Sequence, residues 1–435
     1  MSKRKNGFIL FLILVLCLLL LSQLMGDTLQ FEPGNADLPE EAGLVPPAGT
    51  AASAEPVEMN AVVFSGPEEF RLLGAWNEAY EREHPGTRVN IVNIEKRQAV
   101  RYLLEQAEAG TSPDIMLLDN LWVNYFAALG LLTHAVEASA PERPAALPEA
   151  ESRLVWNGYV WAVPRDFNPY VIVINKPLME EAGFAELPAD AAGWLEVYRG
   201  LADRGYDAGV GIDAQDPGAF IAAVLAMGGD WEAGESGMIR IEADSLPVLE
   251  ALVGPADPGG DPADLKTLLR LLLEGANIWQ QFAEKRLAAA VVPLSEWILN
   301  GPGQAAVAAS LTEGGARKLW AGGTSFAVSS SSDHAAEAFA WISAMTRTER
   351  LLDLLPVTGA LPSYPSALES ARVRALPQWD AVGPMLQLPH ALPADPLNVL
   401  KLGTLGEELE TWSFGEAGEP GDWNERLERR WQESW

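Results

Sequence analysis

The sequence predicts an α/β protein with two lobes, and three observations support this prediction. The chain has 435 residues, more than one hydrophobic core usually holds, so two domains or lobes are expected. Apolar residues make up 48% of the chain and can fill such cores. From residue 58 onward, β-type segments alternate with helical segments over short links. This alternation is typical of an α/β fold with a largely parallel sheet.

The first α/β region begins with the strand segment NAVVFSG and the helical segment SGPEEFRLLGAWNEAYEREHPG. Ser65 and Glu68 have the spacing of a capping box, which predicts where the helix begins. Three further elements follow in order: the strand TRVNIVNI, the helix RQAVRYLLEQAEAG and the strand PDIMLLD.

A hairpin separates this region from a second one. In RLVWNGYVWAVP, Asn157 and Gly158 lie between two aromatic and β-branched runs, a strong signal for a two-residue turn. The second region contains the strand and helix PYVIVINKPLMEEAG, the helix DAAGWLEVYRGLADRG and the strand AGVGID. The helix DPGAFIAAVLAMGG follows, with Asp216 as its N-cap and Pro217 at N1. Two later strand–helix pairs precede two amphipathic helices near the C-terminus.

The composition excludes several classes of function. The net charge is −30 and no basic stripe occurs outside the extreme N-terminus, so binding to nucleic acid is not expected. The acidity indicates solubility, and attraction of a cationic ligand is the alternative. The single cysteine is Cys17, and the four histidines show no ligand spacing, so no metal or other cofactor is expected.

The N-terminus predicts export. Three basic residues, at 3–5, precede an apolar run from Gly7 to about Met25, which spans roughly 28 Å as a helix. Residues 1–26 are therefore expected to be a signal or an N-terminal membrane anchor. Cys17 lies in the middle of the run without small residues before it, so lipidation is not expected. Residues 27–57, rich in Pro, Gly, Ala and Glu, predict a flexible linker.

No known catalytic pattern occurs in the sequence. There is no GxSxG elbow and no phosphate-binding P-loop, and GVGIDA matches a dinucleotide loop only loosely. A glycosidase pair of carboxylates from distant segments leaves no local signature, and 60 acidic residues offer many such pairs. The sequence therefore predicts a protein that is not an enzyme.

Five segments resemble, in order and spacing, the extracellular solute-binding proteins of ABC importers, in the maltose-binding-like group known as family 1. The resemblance covers about residues 58–415. The segments are FRLLGAWNEAYEREHPGTRVNI, GTSPDIMLLDNLWVNYFAALGLL, NGYVWAVPRDFNPYVIVINKPLMEEAGF, FAEKRLAAAVVPLSEW, and AGGTSFAVSSSSDHAAEAFAWISAMTRTER with TGALPSYPSAL.

The resemblance implies a two-lobed periplasmic-binding-protein-like fold of type II, with hinge strands that cross between the lobes. Lobe 1 is expected at 58–166 plus 324–356, and lobe 2 at 167–323 plus 357–435. Crossings are expected near residues 164–169, 321–324 and 356–359. The expected hinge residues are Pro164, Pro169, Gly322 and Gly323, where glycine eases backbone motion.

The strand PDIMLLD ends at a carboxylate and an amide, Asp119 and Asn120, with Trp122 close behind. Ligands of open α/β sheets lie beyond the carboxyl ends of strands, so these residues are predicted to face a ligand. Asp119 is also suited to cap the following helix, and the two roles are compatible. Tyr125 and Phe126 are predicted to be core residues.

The resemblance implies further ligand contacts, because a sugar site needs flat rings and short polar side chains. Trp297 is the stacking candidate, with Glu296 beside it for a hydroxyl group. The other implied contacts are Phe64, Ser65, Asn168 and Trp231. The sequence departs from the maltose-type pattern near Gly228, where only Phe220 remains of the expected aromatic residues. This departure leaves the identity of the ligand open.

The predicted function is an extracytoplasmic receptor that captures a solute, expected to be a carbohydrate, and delivers it to an ABC permease. A monomer is expected, tethered to the membrane through its N-terminal segment. One alternative is a polyamine or other cation receptor of the same fold. Another is a regulatory protein that presents its ligand to a membrane sensor. An extracellular glycosidase is the weakest alternative.

Overall fold

Two mixed β-sheets, each covered by helices on both faces, organise the fold. The computed structural model describes residues that belong to one compact unit. The described residues are 56–135, 145–184, 188, 190–213, 215–253, 269–272, 277–301, 307–309, 318–377, 379–388, 392–413 and 422–434. The predicted signal or anchor, and the linker up to residue 55, lie outside the described residues. Within these ranges, no helix combines the length and apolar character needed to cross a membrane.

The first sheet has the strand order β2-β1-β3-β16-β4, with β7 also paired to β16. β1 is parallel to β2 and β3, whereas β16 is antiparallel to β3. Its strands are β1 (Val57–Val63), β2 (Thr87–Asn93), β3 (Ile115–Asp119), β4 (Leu132–Thr133), β7 (Val163–Pro164) and β16 (Thr324–Ser329).

The second sheet has the strand order β12-β9-β13-β8-β14, and β15 and β17 also pair with β8. β9 is parallel to β12 and β13, whereas β8 is antiparallel to β13. Its strands are β8 (Asp166–Asn175), β9 (Gly209–Asp213), β12 (Leu269–Leu272), β13 (Leu287–Pro293), β14 (Val307–Ala309), β15 (Ala321–Gly322) and β17 (Leu361–Pro362). The prediction of largely parallel sheets therefore needs correction, because the long return strands β8 and β16 run antiparallel.

The predicted hairpin is confirmed as β5 (Val155–Trp156) and β6 (Tyr159–Val160). Its turn residues Asn157 and Gly158 have φ values of 51° and 79°, the positive values that such a turn requires. A second small hairpin joins β10 (Trp231–Ala233) to β11 (Ile239–Ile241).

The helices lie mostly where the sequence predicts them. In the first half of the chain they are α1 (Pro67–Glu83), α2 (Lys96–Glu108), α3 (Asn120–Ala128), α4 (Pro148–Ser152), α5 (Lys176–Ala182), α6 (Ala191–Ala202) and α7 (Pro217–Ala226). In the second half they are α8 (Leu246–Val253), α9 (Ile278–Ala283), α10 (Leu294–Asn300), α11 (Ala335–Met345), α12 (Thr348–Thr358), α13 (Pro365–Leu368), α14 (Ala371–Arg374), α15 (Trp379–Met385), α16 (Asn398–Ser413) and α17 (Trp423–Glu433). A 3₁₀ turn, Ala243–Ser245, precedes α8.

One helix start differs from the prediction. The N-cap of α1 is Gly66, without a side-chain hydrogen bond, and Pro67 takes the N1 position. Ser65 instead joins its backbone to the Asn93 side chain, because Ser65 N donates to Asn93 Oδ1 at 2.8 Å and Asn93 Nδ2 donates to Ser65 O at 2.9 Å. The predicted capping box is therefore wrong. The predicted N-cap Asp216 is confirmed, since its carboxylate accepts from Gly218 N and Ala219 N.

The two faces of each sheet pack into separate apolar cores, as the two-residue period of strands requires. In β3, Ile115 and Leu117 belong to one core and Met116 and Leu118 to the other. In β8, residues 172 and 174 face one core, and residues 171 and 173 face the other. Each sheet is therefore covered on both sides, which leaves its strand ends as the place for polar function.

The chain passes from one sheet to the other at three points within the described ranges: between β7 and β8, between β15 and β16, and between α12 and β17. β8 connects these points, because Asn168 and Pro169 pair with β15 while Asp166 and Phe167 pair with β17. The passages fall in or next to the segments predicted to cross. The boundaries of the two lobes stay a prediction.

Candidate ligand-binding cleft

A cleft of about 780 Å³ lies where residues from both sheets meet. Part of its lining comes from residues at or just beyond strand ends, including Phe64 after β1, Asp119 at the end of β3, Gln215 after β9 and Pro293 at the end of β13. The carboxyl ends of the parallel strands of both sheets therefore point at one space. This is the position at which α/β sheets bind ligands.

One wall of the cleft combines two aromatic rings with an ion pair. The rings of Phe64 and Trp122 have centroids 5.3 Å apart and are tilted by 58°. Lys96, the first residue of α2, places its Nζ 5.6 Å from the Phe64 centroid and 5.9 Å from the Trp122 centroid. The same Nζ donates to Asp119 Oδ2 at 2.7 Å. The negative charge of Asp119 raises the pKa of Lys96, although burial acts in the opposite direction.

Asp119 caps α3, as predicted, and it lines the cleft, while its contact with a ligand stays a prediction. Its Oδ1 accepts a hydrogen bond from Leu121 N at 3.1 Å and caps α3, and its Oδ2 binds Lys96 inside the cleft. Its N-cap backbone is extended, with φ −63° and ψ 140°. The cap fixes the carboxylate at the strand end, so the cleft wall is held by the same hydrogen bond that begins the helix.

The floor of the cleft is a buried ionic network at the passage from β7 to β8. Arg165 Nη1 binds Glu69 Oε1 at 2.5 Å, and Arg165 Nε binds Asp166 Oδ2 at 2.8 Å. Asp166 also accepts from Thr324 N at 2.9 Å and from Thr324 Oγ1 at 2.6 Å. The network joins α1, β8 and β16, and so connects both sheets. One guanidinium faces two carboxylates, so the network keeps one net negative charge, and the two bonds from Thr324 help to stabilise Asp166.

The wall opposite contains Tyr170, Asp216 and Trp320. Tyr170 OH donates to Asp216 Oδ2 at 2.7 Å, while Asp216 Oδ1 caps α7 through Gly218 N at 2.9 Å. Burial raises the pKa of Asp216, although the bond from Tyr170 lowers it in part. Burial and the charge of Asp216 also raise the pKa of Tyr170 well above its ordinary value. A Cβ at Gly218 would lie 2.5 Å from Trp320 Nε1, so the close packing of this wall requires glycine there.

The helix α16 completes the cleft with an apolar, small-residue face. Val399, Leu402, Gly403 and Gly406 line the cleft from this helix. α16 contacts both α3, which follows the first sheet, and α7, which belongs to the second. The helix therefore bridges the two walls near their rim.

The structure brings four of the predicted ligand contacts to this cleft: Phe64, Asp119, Trp122 and Asn168. The amide of Asn168 is engaged by Ser295, since its Nδ2 donates to Ser295 Oγ at 2.8 Å and its Oδ1 accepts from Ser295 N at 3.0 Å. Asn168 thus holds the start of α10 against β8 while it lines the cleft.

Two predicted contacts at the first sheet lie outside the cleft lining. Asn120 is 4% exposed and is bonded to β16 and the residue before it, with its Oδ1 accepting from Ser325 Oγ at 2.5 Å and its N donating to Gly323 O at 3.0 Å. The Oγ of Ser65 is buried and has no hydrogen-bond partner among the described residues. The Oδ1 and backbone N of Asn120 are therefore used within the fold.

Three predicted contacts at the second sheet also need correction. Trp297 is 6% exposed and packs in the core with Leu294, Phe282 and Leu361. Trp231 is 2% exposed and its Nε1 donates to Ile221 O, inside the opposite core. Both rings fill cores and offer no open face to the cleft.

The carboxylate of Glu296, predicted beside Trp297 to bind a ligand hydroxyl, already accepts hydrogen bonds from two neighbouring side chains. It accepts from Trp279 Nε1 at 2.8 Å and from Asn300 Nδ2 at 3.0 Å. For Trp297 and Glu296 the physical reason is the direction of α10, whose buried face turns Trp297 inward under the sheet, whereas Trp231 is buried by the packing of its own hairpin.

The predicted hinge residues lie around the first half of β8. Pro164 pairs with Ser325, Pro169 pairs with Ala321, and Gly322 pairs with Asn168. Gly323 has a φ of +143°, and a Cβ there would lie 2.4 Å from the carbonyl oxygen of Asp166. Glycine is therefore required at this passage by close backbone approach. Hinge motion itself stays a prediction.

The sequence reasoning missed Lys96, Tyr170 and Trp320 as cleft residues, and it named Asp216 only as a helix cap. Asp216 carries the same signal as Asp119, because it follows a predicted strand and precedes a helix. Lys96 follows β2 in the same way. Tyr170 and Trp320 lie next to the predicted crossings, and the sequence holds no further signal for them. In the described part of the chain, no group of three or more His, Cys, Asp or Glu side chains is placed to hold a metal ion.

Comparison with known proteins agrees with this architecture. A family described as bacterial extracellular solute-binding protein matches residues 75–381. The chain belongs to this family, which confirms the resemblance drawn from the five sequence segments. Comparison with curated protein sequences gives no match.

Solved structures of two-lobed binding proteins share the fold. The sugar-binding protein MalE of Xanthomonas citri is 17% identical with a TM-score of 0.70, over 87% of this chain and 98% of that chain. Maltose-bound T. maritima MalE3 is 16% identical with a TM-score of 0.68, over 87% and 100%. The GacH receptor of Streptomyces glaucescens, solved alone and with acarbose, is 18% identical with a TM-score of 0.67, over 87% and 98%. These matches confirm the two-lobed α/β fold.

Proposed function

We propose that this protein is the extracytoplasmic solute-binding component of an ABC importer, that it captures a carbohydrate in the cleft, and that it delivers the ligand to a permease. The observation that carries the proposal is the pairing, in one cleft, of open aromatic rings with fixed polar groups. Phe64 and Trp122 offer apolar ring surface, Lys96 and Asp119 lie beside these rings, and Asp216 lines the same cleft. Sugars present C–H faces and hydroxyl rims, so they match such a surface.

The size of the cleft and the known ligands of similar structures support the proposal. About 780 Å³ falls within the usual range of roughly 300–1,000 Å³ for small-molecule sites. T. maritima MalE3 was solved with maltose and the GacH receptor with acarbose. The departure of this sequence near Gly228 leaves open which carbohydrate binds.

Binding requires the two walls to approach each other, and the passages between the sheets are suited to that motion. We place lobe 1 at 58–166 plus 324–356 and lobe 2 at 167–323 plus 357–435. Gly322 and Gly323 lie at one passage, and the Arg165 network anchors another. The lobes would rotate about these strands and close on the ligand.

The bonding of the cleft carboxylates supports capture of a ligand without hydrolysis. Glu69 and Asp166 are bound by Arg165, Asp119 by Lys96, and Asp216 by Tyr170. A glycosidase needs one carboxylic acid and one free carboxylate placed across the scissile bond. Each carboxylate of this lining already has a partner, which favours a rigid binding site.

Membership in a family of extracellular proteins supports export of the chain. Residues 1–26 would direct that export and, if retained, would tether the protein to the outer face of the membrane through the linker. Mass spectrometry of the mature N-terminus distinguishes removal from retention of residues 1–26, and an N-terminus at a lipidated Cys17 would contradict the prediction that Cys17 is not lipidated.

Isothermal titration calorimetry of the purified protein against a panel of mono- and oligosaccharides tests the proposed function. We expect saturable binding of at least one carbohydrate at micromolar or lower concentration, with no release of reducing ends during long incubation. Saturable binding of polyamines with no carbohydrate response would contradict the proposal. Reducing-end release that a single Asp or Glu substitution abolishes would contradict the absence of hydrolysis.

A further inference from the structure

The cleft contains the chemical groups that recognise an alkylammonium ion, and a side chain of the protein itself, Lys96, occupies the position of that ion. The ammonium group of Lys96 lies beside two tilted aromatic rings and a carboxylate, at 5.6 and 5.9 Å from the ring centroids and 2.7 Å from Asp119 Oδ2. Aromatic faces attract cations through the ring quadrupole, and a carboxylate adds a charge-assisted hydrogen bond. The surroundings of this one side chain are therefore those of a cation-binding subsite.

The fold itself places the Lys96 side chain in this subsite. Lys96 is the first residue of α2, directly after β2, so its backbone is fixed at the strand end. Its side chain is 56% exposed and runs along the cleft wall to reach Asp119, whose other oxygen caps α3. Within the described residues, the hydrogen bond to Asp119 is the one that the Lys96 ammonium makes. An ammonium group has three donors, so two remain for the cleft.

We propose that Lys96 is a specificity-determining residue: its ammonium occupies an alkylammonium subsite of the cleft, excludes cationic ligands, and presents its remaining N–H donors to the oxygens of a neutral or anionic ligand. This proposal rests on the proposed function in one respect, namely that the cleft is the ligand site. It goes further by naming the residue that decides the charge of the ligand.

The charges around the subsite support this role. The cleft lining carries four carboxylates, Glu69, Asp119, Asp166 and Asp216, against the two cations Lys96 and Arg165. Arg165 is held by Glu69 and Asp166, so it is not available to Asp119. Without Lys96 the lining would hold four carboxylates against Arg165, with buried Arg153 behind Trp320 as a further cation near Asp119, so the cleft surface would favour cations. With Lys96 in place, a cationic ligand meets a like charge beside the two rings, which is unfavourable at short range.

The variant Lys96→Ala tests the proposal because the atoms it removes form n-propylammonium. We expect n-propylammonium to bind this variant about tenfold or more tightly than it binds the wild-type protein, as judged by calorimetry or ligand-observed NMR. The neutral analogue n-propanol should show no such gain. Lys96→Arg keeps a cation in the subsite and should exclude n-propylammonium as the wild type does.

Lys176→Ala is the matched control for the loss of one positive charge. Lys176 also begins a helix, α5, and its side chain is 58% exposed. It pairs with Glu180 of the same helix and is not part of the cleft lining. This variant should bind n-propylammonium no better than the wild type. Thermal unfolding of each variant shows that the binding data come from folded protein.

Equal binding of n-propylammonium to folded Lys96→Ala and wild type would overturn the inference. An equal gain for n-propanol would overturn it too, because the gain would then reflect an unspecific cavity. The proposed function alone would be contradicted if the wild type bound no carbohydrate while Lys96→Ala still bound n-propylammonium more tightly than the wild type does. Carbohydrate binding by the wild type, with no gain for n-propylammonium in Lys96→Ala, removes only the inference about Lys96.

Discussion

Trp122 and Trp297 occupy similar places in the sequence and opposite places in the structure. Each follows a buried strand by a few residues and lies in the first turns of a short helix. Trp122 lines the cleft with one ring face beside Phe64 and the Lys96 ammonium. Trp297 is 6% exposed and fills the core beneath the second sheet. A strand–helix junction with a tryptophan is therefore not sufficient to mark a ligand contact.

The difference arises from the polar groups around each ring. Asp119 caps α3 from the strand end, so α3 begins at once and its first turn faces the cleft. At the other junction, Pro293 is the N-cap of α10 without a side-chain bond, and Asn168 holds Ser295 from across the passage. Trp297 then falls on the face of α10 that packs against Leu294 and the core. A carboxylate that caps the helix at a strand end is therefore a better sequence indicator of the cleft than the tryptophan that follows it.

Among the substitutions that test this comparison, Trp297→Ala is expected to have the largest effect, and the effect is on stability. Removal of a core tryptophan should lower the free energy of unfolding by about 3–5 kcal/mol, because it leaves a cavity. Binding by the folded fraction should be unchanged, since the ring does not reach the cleft. Denaturant unfolding measures the first quantity and calorimetry at low temperature the second. Weakened binding with unchanged stability would place Trp297 back in the site.

Trp122→Ala should show the reverse. If the ring forms a platform under the sugar, affinity should fall by about 2–4 kcal/mol, the range for a central aromatic anchor, or roughly thirty- to a thousandfold. Stability should fall less than in Trp297→Ala, because Trp122 is only half-buried. Trp279→Ala is the control: this half-buried ring hydrogen-bonds to Glu296 and does not line the cleft. Unaltered affinity in Trp122→Ala would remove the ring from the proposed platform.

Asp119→Ala tests whether the carboxylate that caps α3 also contributes to ligand binding. Loss of the carboxylate should weaken carbohydrate binding by about 1–3 kcal/mol, the usual cost of an unpaired buried polar group. It should also cost about 1 kcal/mol of stability through the lost N-cap of α3. Asp119→Asn retains an acceptor for Leu121 N and should recover most of the stability. A loss of stability with full affinity would show that Asp119 acts only as a cap.

The smallest effect concerns the pH dependence of the opposite wall. Burial raises the pKa of Asp216 above its ordinary value of 3.8, so the folded state holds this proton more tightly than the unfolded state. The contribution of Asp216 to stability is therefore full below pH 3.8 and is lost as pH rises through the raised pKa.

Asp216→Asn has no such loss, so the stability of the variant relative to wild type should rise with pH across that window. Asp190→Asn, at the exposed N-cap of α6, is the control for removing a capping carboxylate. Unfolding free energies at several pH values measure both differences. A difference that stays flat with pH for Asp216→Asn would contradict the role of burial at this wall.

The order of elements and the strand-end position of the cleft could be predicted from the sequence, whereas most of the cleft lining could not. Short apolar runs identified β1, β3 and β8, because the hydrophobic pattern of a strand is a local property of the sequence. Asp119 followed from the rule that ligands lie beyond strand ends. The direction of Trp297 depends on how α10 packs under its sheet, and Tyr170 and Trp320 depend on strand pairing between distant segments. Such tertiary contacts leave no mark in local sequence.

The central claim is that the cleft beside Trp122, and not the core around Trp297, receives the ligand. Fluorine NMR of protein labelled with 5-fluorotryptophan tests it directly, with the Trp122→Phe and Trp297→Phe variants assigning the two resonances among the 15 tryptophans. At saturation with a carbohydrate that binds by calorimetry, the Trp122 resonance should move by more than its linewidth, while the Trp297 resonance should stay in place. A saturated complex in which Trp122 is unmoved and Trp297 shifts would contradict the account.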